Sequence, residues 1–213
     1  MEDSVKRNPF TAIFQKYYEK TMSDSRSKEI AEYIKDFLTI NDEEIINDML
    51  TELRNTLTIY TSKLKNEHIQ IITLFIDAPD DEYFIPSIVL ASAYNSYKIK
   101  NTYSIPSHPL LPGTDNLYKQ IEFGKNVFSQ FGGCDIDMIS DILFDMTSLP
   151  DIANSELFRQ MQTLVIIKIL ELLYSSCMLL MKGDVFKKLP KIMPFAFFAH
   201  LDDKEYIHIA PYD

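Results

Sequence analysis

The side chains best placed to do chemistry in this chain are carboxylates. Asp137, Asp141 and Asp145 recur every fourth residue, which on a helix stacks them along one face. Ile136, Ile139, Ile142, Leu143 and Met146 fall elsewhere around the same turns, so the segment reads as an amphipathic helix with an acidic side. Like charges at this spacing weaken a helix slightly. Such a face is either a docking surface for a basic partner or a solvated surface whose first-turn acids suit the helix dipole.

Asp135 extends this run, and Asp151 and Glu156 follow it. The stretch 134–160 holds six acids against the single base Arg159, a balance of −5 in a chain of net charge −10. Asp77, Asp80, Asp81 and Glu82 form a second acidic knot with no base. It reads as a turn between two strands. If the fold sets it beside the Asp137 face, the two runs make one negative field, which attracts cationic surfaces and repels nucleic acid.

Other chemistry has thinner support. Asp135-x-Asp137 opens like a calcium loop, but Ile139 takes the next ligand place and the sixth place is not glycine. Paired carboxylates serve glycosidases only at a defined separation in space. The histidines, His68, His108, His200 and His208, show no helical metal-binding spacing. His200 and His208 sit on the two arms of a C-terminal hairpin, close enough to be neighbours on a sheet face. Cys134 follows Gly132-Gly133 at an expected helix start, which lowers a thiol's pKa, while Asp135 and Asp137 oppose that shift. Cys177 lies in an apolar run and reads as core. No Walker loop, dinucleotide-binding glycine pattern, nucleophile elbow or zinc-protease helix occurs, and no cofactor is implied. Tyr83, Tyr94, Tyr97 and Tyr103 read as core or ordinary surface, with a recognition surface as the alternative.

The elements that must hold these residues follow from periodicity. Apolar residues at steps of three and four predict helices over 10–18, 30–38 and 41–66. Asn41 with Glu44 three residues on predicts a capping box for the third. Runs at 68–76 and 83–91, broken by Ala78-Pro79-Asp80-Asp81, predict a β-hairpin with Pro86 at an edge or bulge. A short strand is expected within 94–105 and a loop over 104–114. Leu117, Ile121, Phe123, Val127, Phe128 and Phe131 predict a helix over 117–131, ended by Gly132-Gly133. Residues 161–181 are mostly Leu, Ile, Val and Met, but Gln162, Lys168 and Glu171 interrupt them. A spanning helix wants about 20 apolar residues with few charges, so this segment predicts a buried core helix in which Lys168 and Glu171 pair. The tail, 195–201 and 206–210, predicts a second hairpin.

The fold class is therefore α+β: a helical N-terminal half on a small, mostly antiparallel sheet, a long apolar core helix and a C-terminal β-hairpin. The 213 residues, 46% hydrophobic and 24% charged, suit one domain over 1–213, helical over 1–66 and sheet plus helices over 67–213. Two cysteines make no disulfide framework, and the polar start carries no secretory pattern, so a reducing, cytoplasmic setting is expected.

Functionally, the composition favours a non-catalytic acidic binding domain. The closest analogy in charge and size is an immunity protein or antitoxin, an inhibitor capping a basic surface of a partner such as a nuclease toxin. The partner-binding residues expected are Asp135, Asp137, Asp141 and Asp145, with Asp77, Asp80, Asp81 and Glu82. The alternatives are an enzyme built from scattered Asp/Glu and His residues, and a structural subunit of an assembly. A basic protein partner is expected, with no nucleic acid, membrane or metal.

Overall fold

The computed structural model describes residues 8–24, 26–64, 67–77, 87–100, 118–129, 133–135, 141–142, 145–146, 155–201 and 206–212. Its fold is α+β, with helices against one face of a mixed sheet.

The N-terminal helices are α1 (Pro9–Met22), α2 (Ala31–Leu38) and α3 (Asp42–Lys63), with a 3₁₀ turn at Ser27–Glu29 before α2. Asn8 starts α1: its Oδ1 accepts the Phe10 amide at 3.0 Å, and Pro9 at the first helical position needs no amide partner. The capping box expected for α3 does not form. The Asn41 side chain makes no capping bond. Its backbone carbonyl takes the Glu44 and Ile45 amides, and Asp42 turns to Lys168 instead.

Helix α4 (Glu156–Lys182) begins where Ser155 Oγ accepts the Phe158 amide at 3.2 Å. It is the core helix. By length and composition it is apolar enough to cross a membrane, yet 72% of its most apolar stretch is buried inside the protein. Leu164, Val165, Ile166, Ile169, Leu170 and Leu173 are completely buried, each contributing about 1.5–3 kcal/mol by leaving water. Its two mid-helix charges, Lys168 and Glu171, are accommodated at one spot. Lys168 Nζ lies 3.4 Å from Glu171 and 2.6 Å from Asp42, over the Phe14 ring. The short α5 (Asp184–Lys188) follows.

The strands are β1 (Ile69–Asp77), β2 (Ser87–Tyr94), β3 (Tyr97–Ile99), β4 (Tyr118–Lys119), β5 (Ile121–Phe123), β6 (Asn126–Ser129), β7 (Gly133–Asp135), β8 (Lys191–His200) and β9 (Tyr206–Tyr212). Seven form one sheet in the order β4-β9-β8-β1-β2-β6, with β7 also on β2; β3 and β5 pair separately. The hairpins β1-β2 and β8-β9 are antiparallel and meet through a parallel β1-β8 pairing at the centre. Alternation divides the central strands between two cores. Ile72, Leu74, Ile76, Phe195, Phe197 and Ala199 join the helical core. Ile71, Ala196, Phe198 and Tyr206 form a second core under the β3-β5 pair.

The helix expected over 117–131 is absent: β4, β5 and β6 occupy its described part. Gly124 stands at its centre, beside the Asn95-Ser96 turn. Ile121 and Phe123 pair with Ile99 and Tyr97, and Phe128 stacks on Tyr60 of α3. Cross-strand partners thus override a spacing that mimicked helical periodicity. The loop expected over 104–114, and Pro86, lie outside the described residues.

Candidate partner-binding face

Strand register aligns one backbone position from each acidic run. Asp77, the last residue of β1, pairs with Ser87 of β2, and Ser87 pairs on its other side with Asp135 of β7. The backbones of Asp77 and Asp135 therefore share one row, two strand spacings apart, or about 10 Å. One step inward the row is Ile76, Ile88 and Cys134, and Ile76 is completely buried. The backbone row of Asp77 and Asp135 thus lies one step beyond a buried residue.

Asp141, Ile142, Asp145 and Met146 have helical backbone. Asp141 and Asp145 are exposed, Ile142 packs against the core, and Met146 is completely buried. A four-residue step thus keeps the two acids in water while the adjacent residues anchor the turn. Arg159, the one base of the acidic stretch, lies 3.9 Å from Glu156 on the exposed side of the first turn of α4. Asp80, Asp81, Glu82, Asp137 and Asp151 lie outside the described residues.

The remaining candidates are held by packing. His200 is buried with its ring against Phe75 and Tyr206, at centroid distances of 5.0 and 4.9 Å. His208 is exposed and stacks on Phe198 at 4.8 Å. Register pairs His200 with Tyr206 and Phe198 with His208, so the imidazoles sit on a diagonal of one sheet face. Tyr94 stacks on Phe123 and Tyr97 meets Phe198 edge-on, which ties both tyrosines into the second core. Tyr83, Tyr103 and His108 lie outside the described residues.

Cys134 does not start a helix; it lies inside β7, paired with Ile88, so the helix-terminus argument for an activated thiol falls away. Cys177 is a free, fully buried thiol whose pKa is pushed far above the usual thiol range by loss of solvent. Among the described residues no three His, Cys, Asp or Glu side chains gather as metal ligands.

Sequence reasoning missed a small cleft at the other end of the sheet. It has a volume of about 360 Å³ and is lined by Glu67, His68, Asn95, Lys125 and Ile192. Lys125 Nζ donates to Glu67 Oε1 at 2.6 Å, and Asn95 Oδ1 accepts the Lys125 amide at 2.9 Å. Gly124 is required beside it, because a β-carbon there would lie 2.0 Å from Ser96 Oγ. Gly124 was the only local signal, and the helical reading of 117–131 concealed it.

No protein family model, no curated protein and no solved structure matches this chain.

Proposed function

We propose that this protein is a non-catalytic binding domain whose acidic edge docks on a basic surface of a protein partner. The most specific form of the proposal is an inhibitor of the immunity-protein or antitoxin type, acting in the cytoplasm and capping a positively charged active-site surface such as that of a nuclease. The observation that carries it is the row Asp77–Ser87–Asp135, which joins two acidic runs distant in sequence. Exposed Asp141 and Asp145 add to the same run.

The physical logic is electrostatic. A one-signed surface raises the encounter rate with an oppositely charged one, and fully desolvated charge pairs then slow dissociation. A partner held this way dissociates when salt screens the field, because the Debye length contracts to a few ångströms near molar ionic strength. The packing of His200 between aromatic rings gives the enzymatic alternative less support than the acidic edge gives the binder.

The test is a pull-down from native lysate with the wild-type chain and Asp141→Lys/Asp145→Lys in parallel, washed first at low and then at high salt. The proposal expects a basic protein that the wild type retains only through the low-salt wash and that the variant fails to capture. Equal capture by both proteins would leave the acidic face as solvation alone.

A further inference from the structure

At the end of the sheet away from Asp77 and Asp135 the ladder is interrupted. Between its pairings with β8 at Ile69 and Ile71, β1 advances two residues, while β8 advances five, from Lys191 to Ala196. The excess is accommodated by the apolar run Ile192-Met193-Pro194, and all three residues are exposed. Ile192 and Met193 are 44% and 42% exposed, although the six residues after Pro194 are buried. A bulge of this kind re-aims side chains out of a sheet. Large apolar side chains gathered there mark an interaction surface when polar groups rim them.

The rim is the cleft described above, with Ile192 as one wall. Among the described residues that line it, the charges are one base and one acid, Lys125 and Glu67, whose side chains are 65% and 42% exposed. Lys191 turns its ammonium back to the Phe186 and Lys187 carbonyls of α5. The described lining of the cleft, with Glu67 and Lys125 as its two charges, therefore has no net formal charge on a chain that carries −10.

The geometry points to a second copy of this chain as the occupant of this patch, in a two-fold symmetric dimer. Charge complementarity selects that occupant. A two-fold interface demands a self-complementary surface, in which each residue meets its counterpart's partner. Lys125 and Glu67 supply this directly: across the axis, each lysine reaches the other copy's glutamate. The Asn95 amide carries both a donor and an acceptor, and the bulges bury one another. Two copies bearing −10 each also approach with least repulsion through a neutral surface. Asp77 lies roughly 25 Å away along β1, so its end of the sheet stays outside the proposed interface in both copies. This inference stands apart from the reading of the acidic edge and survives its failure.

The test is a charge exchange read by size-exclusion chromatography with light scattering, from micromolar to millimolar protein. The wild type is expected at twice the 24.8 kDa of one chain. Glu67→Lys has two bases in the patch and Lys125→Glu has two acids, so each alone is expected to remain monomeric. Mixed one to one they place every base opposite an acid, and recovery of the dimer is expected. Met193→Asp removes the apolar contact and is expected to be a folded monomer by circular dichroism. A wild type that is monomeric at every concentration overturns the inference. So does a dimer that the single charge variants leave intact, or a mixture that fails to restore it, since a pair serving only its own chain gains nothing from mixing.

Discussion

Lys168 of α4 donates to Asp42 of α3 across 2.6 Å, and that contact ties the N-terminal helices to the core helix. The same ammonium lies 3.4 Å from Glu171 and over the Phe14 ring of α1. Glu171 in turn accepts the Thr11 hydroxyl, and its backbone carbonyl accepts the Asn8 amide group. Lys168 and Glu171 are only 15% and 17% exposed, so removing Lys168 leaves the Glu171 carboxylate nearly buried with the Thr11 hydroxyl in place of a counter-charge. Lys168→Ala is expected to destabilise the fold by about 2–3 kcal/mol, below the full cost of breaking a buried pair because Asp42 is half exposed. Denaturant unfolding checks this: the midpoint should fall with the slope unchanged.

Gly124 gives a second test. Its missing side chain accommodates Ser96 Oγ at 2.0 Å and Asn95 Oδ1 at 2.5 Å from where a β-carbon would stand. The Ser96 carbonyl also accepts the Gly124 amide at 2.9 Å, so the two turns cannot separate cheaply. Gly124→Ala is expected to cost about 1–3 kcal/mol, the range for overpacking. Adding Ser96→Gly removes the nearest clash and should recover part of that loss. Additive effects of the two substitutions in a double-mutant cycle would show that they do not touch.

Cys177 sets a pH dependence. Burial raises the thiol's pKa in the folded state, so the folded protein keeps the proton while the unfolded chain releases it above about pH 8.5. The stabilisation is complete below that pH and is lost as pH rises. The expected slope is up to about 1.4 kcal/mol per pH unit. Cys177→Ala should flatten the stability profile between about pH 8.5 and 10 relative to wild type. In the native protein the thiol should also resist thiol reagents until unfolding exposes it. Fast labelling of Cys177 under native conditions would contradict its place in the core.

How much of this was legible in the sequence varies with the source of the signal. Helices α1, α2, α3 and α4 were legible because each buries one or more faces at regular spacing; Phe10, Tyr17, Ile34, Phe37 and Leu57 are buried as their intervals predict. The hairpins β1-β2 and β8-β9 were legible from short apolar runs flanked by polar turns. The segment around Gly124 was not, because Ile121 and Phe128 take their conformation from Tyr97–Ile99 and Tyr60, contacts that no local pattern encodes. The parallel pairing of β1 with β8 joins residues more than a hundred positions apart and was equally hidden. So was the looped-out run at Ile192, which precedes the strand expected from 195. For the candidate face, the sequence named Asp77 and Asp135, but only the shared pairing with Ser87 reveals that their backbones are aligned.

Exposed carboxylates should matter to binding and not to folding. Asp141→Lys, tested alone, changes an exposed side chain, and surface substitutions typically move stability by less than about 0.5 kcal/mol. Its thermal midpoint is therefore expected to match the wild type to within a few degrees. A large drop would mean that the acids hold structure, and any loss of binding could not then be assigned to charge.

The most direct measurement of the central claim is the affinity for the captured basic partner as a function of salt, for wild type and Asp141→Lys/Asp145→Lys side by side. A long-range field screened over a Debye length predicts that wild-type affinity falls steadily as salt rises. The charge-reversed protein should bind at least tenfold more weakly at low salt, with a flatter dependence. Equal affinities, or a wild-type affinity indifferent to salt, would contradict the account.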